Sequence, residues 1–323
     1  MAFQTSTSIT SPDQLIDALA TFAAANGWTI ERNTVSLGNR TMTMRKPGVS
    51  DYIHVYNVAN NEIYMRASVG YDAAQGPATQ PNGVPTPCVT NALVGPYPNV
   101  WFFSNGNEIN VVVRRSDTTG AYSHLALGVL TKYGAYNGGT FITGSYFNQS
   151  SSSSGEWDWT YDSALFGMSG TSPNFGFIRI DADGATNRWV PIQQSNNDNL
   201  IQTFSGVGNF RNSRTYSGNL LYSTFELGRW AIAADANTFS GRSILHVIDF
   251  LVRRTGSPAY HSPIGYVANT RFMSLAKYDP EQELSIADET WVVFPVVRKA
   301  TESSSFGTPN ASGNHGYAIR KVA

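Results

Sequence analysis

The residues best suited to chemistry in this 323-residue chain form one short run, Glu156-Trp157-Asp158-Trp159-Thr160-Tyr161-Asp162. Three carboxylates interleaved with three aromatics can line a sugar-binding groove, and a pair drawn from Glu156, Asp158 and Asp162 could supply the acid and base of glycoside cleavage. Alternation gives a plainer account, with Trp157, Trp159 and Tyr161 on one face of a strand and Asp158, Thr160 and Asp162 on the other. On that reading Trp157, Trp159 and Tyr161 are candidate contacts for a glycan or a protein partner, and no catalytic residue is assigned.

Other chemical motifs fail on spacing. Gly167-Met168-Ser169-Gly170-Thr171 lacks the glycine that a nucleophile elbow needs two residues after its serine. Asp181-Ala182-Asp183-Gly184 begins like a calcium loop, but it has no third acidic residue at the right spacing and no downstream bidentate glutamate. A turn between strands at 177–180 and 188–192 explains it better. His54 stands inside a strand among aromatics with no second ligand in sight, which reads as a packed or surface histidine. His246 and Asp249 lie in an apolar run whose period does not separate strand from short helix, and their spacing marks no catalytic pair. No cofactor or metal site is expected, and a lone Cys88 excludes both an intrachain disulfide and a zinc cage built mainly from thiolates.

Composition points from chemistry toward contact. Only 14% of the residues are charged and the formal net charge is −1, so there is no concentrated basic surface for a nucleic-acid backbone. A surface of hydroxyls and amides suits packing between subunits, because burying a neutral hydrogen-bonding group costs less than burying a charge. No segment approaches the roughly 18 uninterrupted apolar residues of a spanning helix, and the amino terminus lacks a basic region followed by an apolar run. Membrane insertion is therefore not expected, and synthesis and folding in a cytosol are.

The elements that must position these residues are mostly strands. The stretch from Asn99 to Gly144 organises the rest: Val100–Phe103, a turn at Ser104–Asn107, Ile109–Arg114, a turn at Ser116–Gly120, and a third strand over residues 122–129 make a meander. Ile109, Val111 and Val113 share one face of the second strand, so one side is predicted to be buried. Upstream, Ser11, Pro12 and Gln14 start an amphipathic helix carrying Leu15, Leu19, Phe22 and Ala23, which Asn26-Gly27 stops. Hairpins follow over Thr29–Arg45, with a turn at Gly38-Asn39, and over Tyr52–Arg66. The segment 71–98 carries six prolines and no period, and reads either as a contact arm onto a neighbouring subunit or as a surface Ω-loop. A Ser-rich tract covers 148–155, and a β-rich region covers 156–323, closing on strong strands at Thr290–Lys299 and Gly316–Arg320. The expected fold is mainly β, sandwich or meander sheets, with one N-terminal helix packed on a sheet. Residues 1–70, 71–98, 99–147, 148–155 and 156–323 are its successive regions, the first sharing a body with the rest.

Several of these segments together resemble a group of uncharacterised structural proteins of tailed bacteriophages, encoded among neck and tail genes. The resemblance rests on the leading helix with Asn26-Gly27-Trp28, on Trp101-Phe102-Phe103 through Val111-Val112-Val113, and on Gly128 to Gly134 with Gly138-Gly139. It extends to Trp291 to Pro295 and to Gly313-Asn314-His315-Gly316-Tyr317-Ala318. It implies a virion location in the neck, collar, baseplate or tail, copies of the chain joined in a ring, other virion proteins as partners, and no transferable catalytic residues. A receptor- or glycan-binding tail module is the alternative, and a glycan hydrolase the more remote one.

Overall fold

A computed structural model of the chain describes residues 2–58, 61–91, 93–118, 120–145, 165, 176–181, 189–192, 201–203, 245–254, 260–299 and 315–322. Among these residues the chain is one helix and nineteen strands in three antiparallel sheets.

The central sheet has the order β1-β7-β8-β9-β11-β12-β13. Its strands are β1 (Ala2–Ser6), β7 (Asn99–Ser104), β8 (Glu108–Ser116), β9 (Ala121–Val129), β11 (Asn137–Gly144), β12 (Gly176–Asp181) and β13 (Trp189–Pro191). The helix-backed sheet runs β2-β3-β4-β5-β6, from β2 (Thr29–Ser36), β3 (Asn39–Arg45), β4 (Tyr52–Val58) and β5 (Glu62–Ser68) to β6 (Cys88–Thr90). The outer sheet runs β14-β15-β16-β19-β18-β17, with β10 (Thr131–Lys132) also paired to β16. Its members are β14 (Ile201–Thr203), β15 (His246–Arg254), β16 (Tyr260–Ser274), β17 (Glu283–Ile286), β18 (Glu289–Pro295) and β19 (His315–Lys321).

The helix α1 (Pro12–Ala25) forms where the residue pattern predicts. Ser11 caps it by accepting the Gln14 N–H at 3.3 Å, while Gln14 reaches back one residue further than a capping box requires and accepts the Thr10 N–H at 2.8 Å. Gly27, at φ +78°, ends it. The buried stripe Leu15, Ile16, Leu19, Phe22 and Ala23 packs over β2, β3 and β4 and shares a core with the central sheet. Phe22 meets Phe102 of β7 with ring centroids 5.4 Å apart.

The central sheet is therefore a filling between two layers. Val100, Phe102, Ile109, Val111, Val113, Leu125, Leu127, Ile142 and Phe177 face α1 and the helix-backed sheet. Their alternates Trp101, Phe103, Val112, Tyr122, Ala126, Phe141, Ile178 and Ile180 face the outer sheet. The expectation of one buried face is corrected to two. The unbroken apolar runs at residues 100–103 and 111–113 are what a doubly covered strand needs. On the outer-sheet side Phe294 of β18 sits edge-on to Trp101 at 5.1 Å, to Phe103 at 5.9 Å and to Tyr122 at 5.9 Å.

Three further differences have local causes. β1 was not expected, because Ala-Phe-Gln-Thr-Ser is short and polar; it is held by pairing with β7 from Ala2↔Ser104 to Ser6↔Val100. The first hairpin turns at Leu37-Gly38, one residue earlier than expected, with both residues at positive φ as a two-residue primed turn requires. The proline-rich segment contains β6, and its described residues contact the rest of the chain. The buried Gln80 side chain donates to the carbonyls of Asp72 and Gln75 and accepts the Asp72 N–H, Arg32 donates to Ala73 and Gln75, and Trp189 donates to Asn82. The apolar run is strand, not helix, from His246 onward, and the strand β19 lies inside its sheet between β16 and β18.

Phe294→Ala should lower the unfolding free energy by about 3–5 kcal/mol, because the vacated ring is lined by aromatics that cannot collapse into it. Denaturant titration checks this; a loss under about 1 kcal/mol would mean that the two layers do not pack through this ring.

Candidate functional site

The run from Glu156 to Asp162, with Trp157, Trp159 and Tyr161, lies outside the described residues, as does Ser169. The other sequence candidates are placed. Asp181 holds Arg179, with Arg179 Nη2 2.6 Å from its carboxylate, and 177–179 pairs with 189–191 as the turn reading expects, the loop between them lying outside the described residues. Asp249 accepts a hydrogen bond from the Tyr133 hydroxyl rather than from His246. Among the described residues no group of three or more His, Cys, Asp or Glu side chains could hold a metal ion, and no helix is long and apolar enough to cross a membrane.

Among the described residues, His54 has the arrangement that looks most catalytic. Its Nε2 is 2.8 Å from Ser68 Oγ and its Nδ1 is 3.0 Å from Thr43 Oγ1. The direction of the protons decides its role. Ser68 spends its only hydroxyl proton on the Gly70 carbonyl at 2.6 Å, so Nε2–H must donate to Ser68, and Nδ1 accepts from Thr43. The ring therefore has no lone pair turned to the serine and cannot activate it. Burial, with Arg32 and Arg66 nearby, pushes its pKa down to about 4. His124 is equally enclosed, between Phe294 and Tyr317; its Nε2–H donates to the Pro295 carbonyl at 2.8 Å and burial holds its pKa down at about 4.

Ionisable groups converge at places the sequence did not single out, and each convergence ties layers together. Glu108, the first residue of β8, is fully buried against the outer sheet. Its two carboxylate oxygens accept the backbone N–H groups of Ala268 at 2.8 Å and Asn269 at 2.9 Å. Those N–H groups are free because β16 bulges there: Val247 pairs with Arg271 and Ile248 already with Val267, which leaves residues 268–270 without partners on β15. Two residues along β8, Asn110 accepts the Thr270 hydroxyl at 3.0 Å. Arg271 closes the bulge from its own strand, donating to the carbonyls of Val267, Ala268 and Thr270 while its guanidinium lies over Trp291 at 5.2 Å. Opposite Glu108 in β9 stands Gly128, at φ +155°, where a Cβ would come within 2.7 Å of the Glu108 backbone. Burial raises the Glu108 pKa to about 7, against the two N–H groups and the Arg271 and Arg320 charges, which favour the anion.

A second convergence joins the helix-backed sheet to the central one. Asp51, before β4, is buried and takes hydrogen bonds from Arg179 of β12 and from the Thr140 hydroxyl of β11, and the same Arg179 donates to Ser50 at 2.9 Å. A third, less buried, joins β9 to the outer sheet: Glu281 accepts from the Tyr122 hydroxyl at 2.6 Å and from Arg114 at 3.1 Å. Each of these groups is matched by a partner from another layer, which is how an ion pair is held in a protein interior.

A scan of protein-family models finds none that matches this chain, and no curated protein matches it.

Glu108 sets a test with a defined sign. Its folded pKa lies above its ordinary value of 4.5, so its contribution is present in full below about 4.5 and is lost as the pH rises through about 7. His54 and His124 act oppositely, since their folded values of about 4 lie below the ordinary 6.5 and stability from them grows as the pH rises across that span. Glu108→Gln should gain stability relative to the wild type as the pH rises from 4.5 to 7, by something on the order of 3 kcal/mol over that span, whatever constant offset the amide introduces. Chemical denaturation of both proteins at several pH values checks this; a pH-independent difference would mean that the two N–H groups and the arginine charges offset burial and leave the Glu108 pKa unchanged on folding.

Proposed function

We propose that this chain is a structural subunit of a tailed-phage virion that assembles with copies of itself in the neck, collar or tail and acts by filling and locking interfaces rather than by catalysis. The observation that carries this reading is the use made of the interior charge. Glu108, Asp51 and Arg179 are all sealed between layers and fully engaged with backbone or opposing side chains, and the histidine best placed to look like a base has its protons aligned the wrong way. Layers cross-linked in this way lose little further freedom on association, so a subunit with a neutral polar surface can form repeating contacts at low cost in ordering. The resemblance to phage neck and tail proteins supports the location. The scarcity of charge supports contact between like copies, which does not then bring together groups of the same sign.

Sedimentation of the purified full chain across a wide concentration range should reveal a discrete oligomer, and mass spectrometry of virions of the phage that encodes it should detect the chain in fixed stoichiometry with the other structural proteins. A chain that stays monomeric at every concentration and is missing from the virions would contradict the reading.

A further inference from the structure

Among the described residues, the helix-backed sheet leaves one edge unpaired. β2 is its outermost strand and, among the described residues, has no neighbour beyond it. From Asn33 to Leu37 every residue is exposed, Val35 by 53% and Leu37 completely. This stretch, Asn-Thr-Val-Ser-Leu, carries no charge and no proline, and its register with β3 is continuous from Arg32 to Ser36. Edges are ordinarily protected by charges, prolines or bulges; β2 carries charges and a register shift at Glu31 and Arg32, and the stretch beyond them is left as a template for another strand. The opposite edge of the sheet, β6, is three residues long and buried.

Which backbone groups point outward follows from the turn. The two-residue turn at Leu37-Gly38 makes Ser36 and Asn39 a hydrogen-bonded pair, so Val35↔Arg40 is a non-bonded pair, Thr34↔Thr41 a bonded one and Asn33↔Met42 again a non-bonded one. The Arg40 N–H accordingly turns away from β2 and donates to Asn57 Oδ1 of β4 at 2.6 Å. Asn33 and Val35 thus present their N–H and C=O groups to the open side.

We propose that this edge pairs with the β2 edge of a second copy of the chain, antiparallel and centred on Thr34. In that register Asn33 exchanges both hydrogen bonds with the second copy's Val35, and Val35 with its Asn33. Thr34 faces Thr34 as a close non-bonded pair, a favourable cross-strand combination. Arg32 falls opposite Ser36, so no like charges meet, and the ladder ends there because the register of β2 shifts at Glu31 and the chain turns at Leu37. The helices do not obstruct it. α1 lies over β2, β3 and β4, and from β3 to the second copy's β3 is three strand spacings, about 14 Å, against a helix diameter of about 10–12 Å. Such a contact is closed by its own twofold axis and joins subunits in pairs, or two rings back to back. It rests on the self-assembly reading above and names the surface that reading lacks.

Two variants of the full chain test it. Val35→Pro removes an outward N–H and none of the hairpin's own bonds, a position where a strand tolerates proline. Thr34→Cys sets two thiols face to face, and Cys88, the chain's single cysteine, is buried and does not interfere. Association measured by sedimentation should weaken about tenfold or more in Val35→Pro, because each copy loses a hydrogen bond across the axis. Its circular dichroism should be unchanged, and Thr34→Cys should oxidise to a covalent dimer. An oligomer that survives Val35→Pro, with no disulfide from Thr34→Cys, would overturn the edge pairing while leaving self-assembly standing on another surface. A wild-type chain that is monomeric throughout would overturn both.

Discussion

Burying a sheet on both faces is the constraint from which the remaining structure follows. A polar group buried on β8 or β9 outside the ladder is costly unless a neighbouring layer supplies its partner. Glu108 meets that demand by capturing two backbone N–H groups that a bulge in β16 sets free, and the bulge is in turn wrapped by Arg271. Neither partner is satisfied without the other: a regular β16 would offer Glu108 no donors, and an apolar residue at position 108 would leave two N–H groups buried and unpaired. The carboxylate therefore fixes how the outer sheet sits on the central one, in a way that apolar packing around Phe294 does not.

The same logic repeats on the opposite face, where Asp51, Arg179, Thr140 and Ser50 join the helix-backed sheet to β11 and β12. Chemistry of the acid–base kind needs a titrating group that can reach a substrate, and these groups are turned inward and occupied. His54 illustrates the difference between proximity and function. A serine, a histidine and a third hydroxyl stand at hydrogen-bonding distances, yet the Gly70 carbonyl takes the serine proton and reverses the polarity that nucleophilic activation requires.

Much of the architecture was legible in the residues. α1 announces itself through Ser11, Pro12 and a stripe at helical spacing, and the hairpins through turn residues such as those at Ser104–Asn107 and, to within one residue, at Gly38-Asn39, because these signals are local. The mainly β class and the single helix packed on a sheet follow from them. What escaped was long-range. Glu108 reads as an ordinary charged residue at the start of a strand, since its partners lie 160 and 161 positions away and are backbone groups in a bulge that no side-chain pattern encodes. Asp51 and Arg179 are separated by 128 positions. The second buried face of the meander was written in the runs 100–103 and 111–113, but such runs have no period to distinguish them from one-sided strands. β1 exists only because β7 offers it an edge.

Amide hydrogen exchange at Ala268 and Asn269 tests most directly whether interior charge serves to join the layers. If Glu108 holds these two N–H groups, they exchange as slowly as the amides of Val111 and Leu125 in the heart of the central sheet, opening only with global unfolding. Exchange at the rate of an exposed loop would contradict it, and with it the view that this chain's buried polar groups are structural.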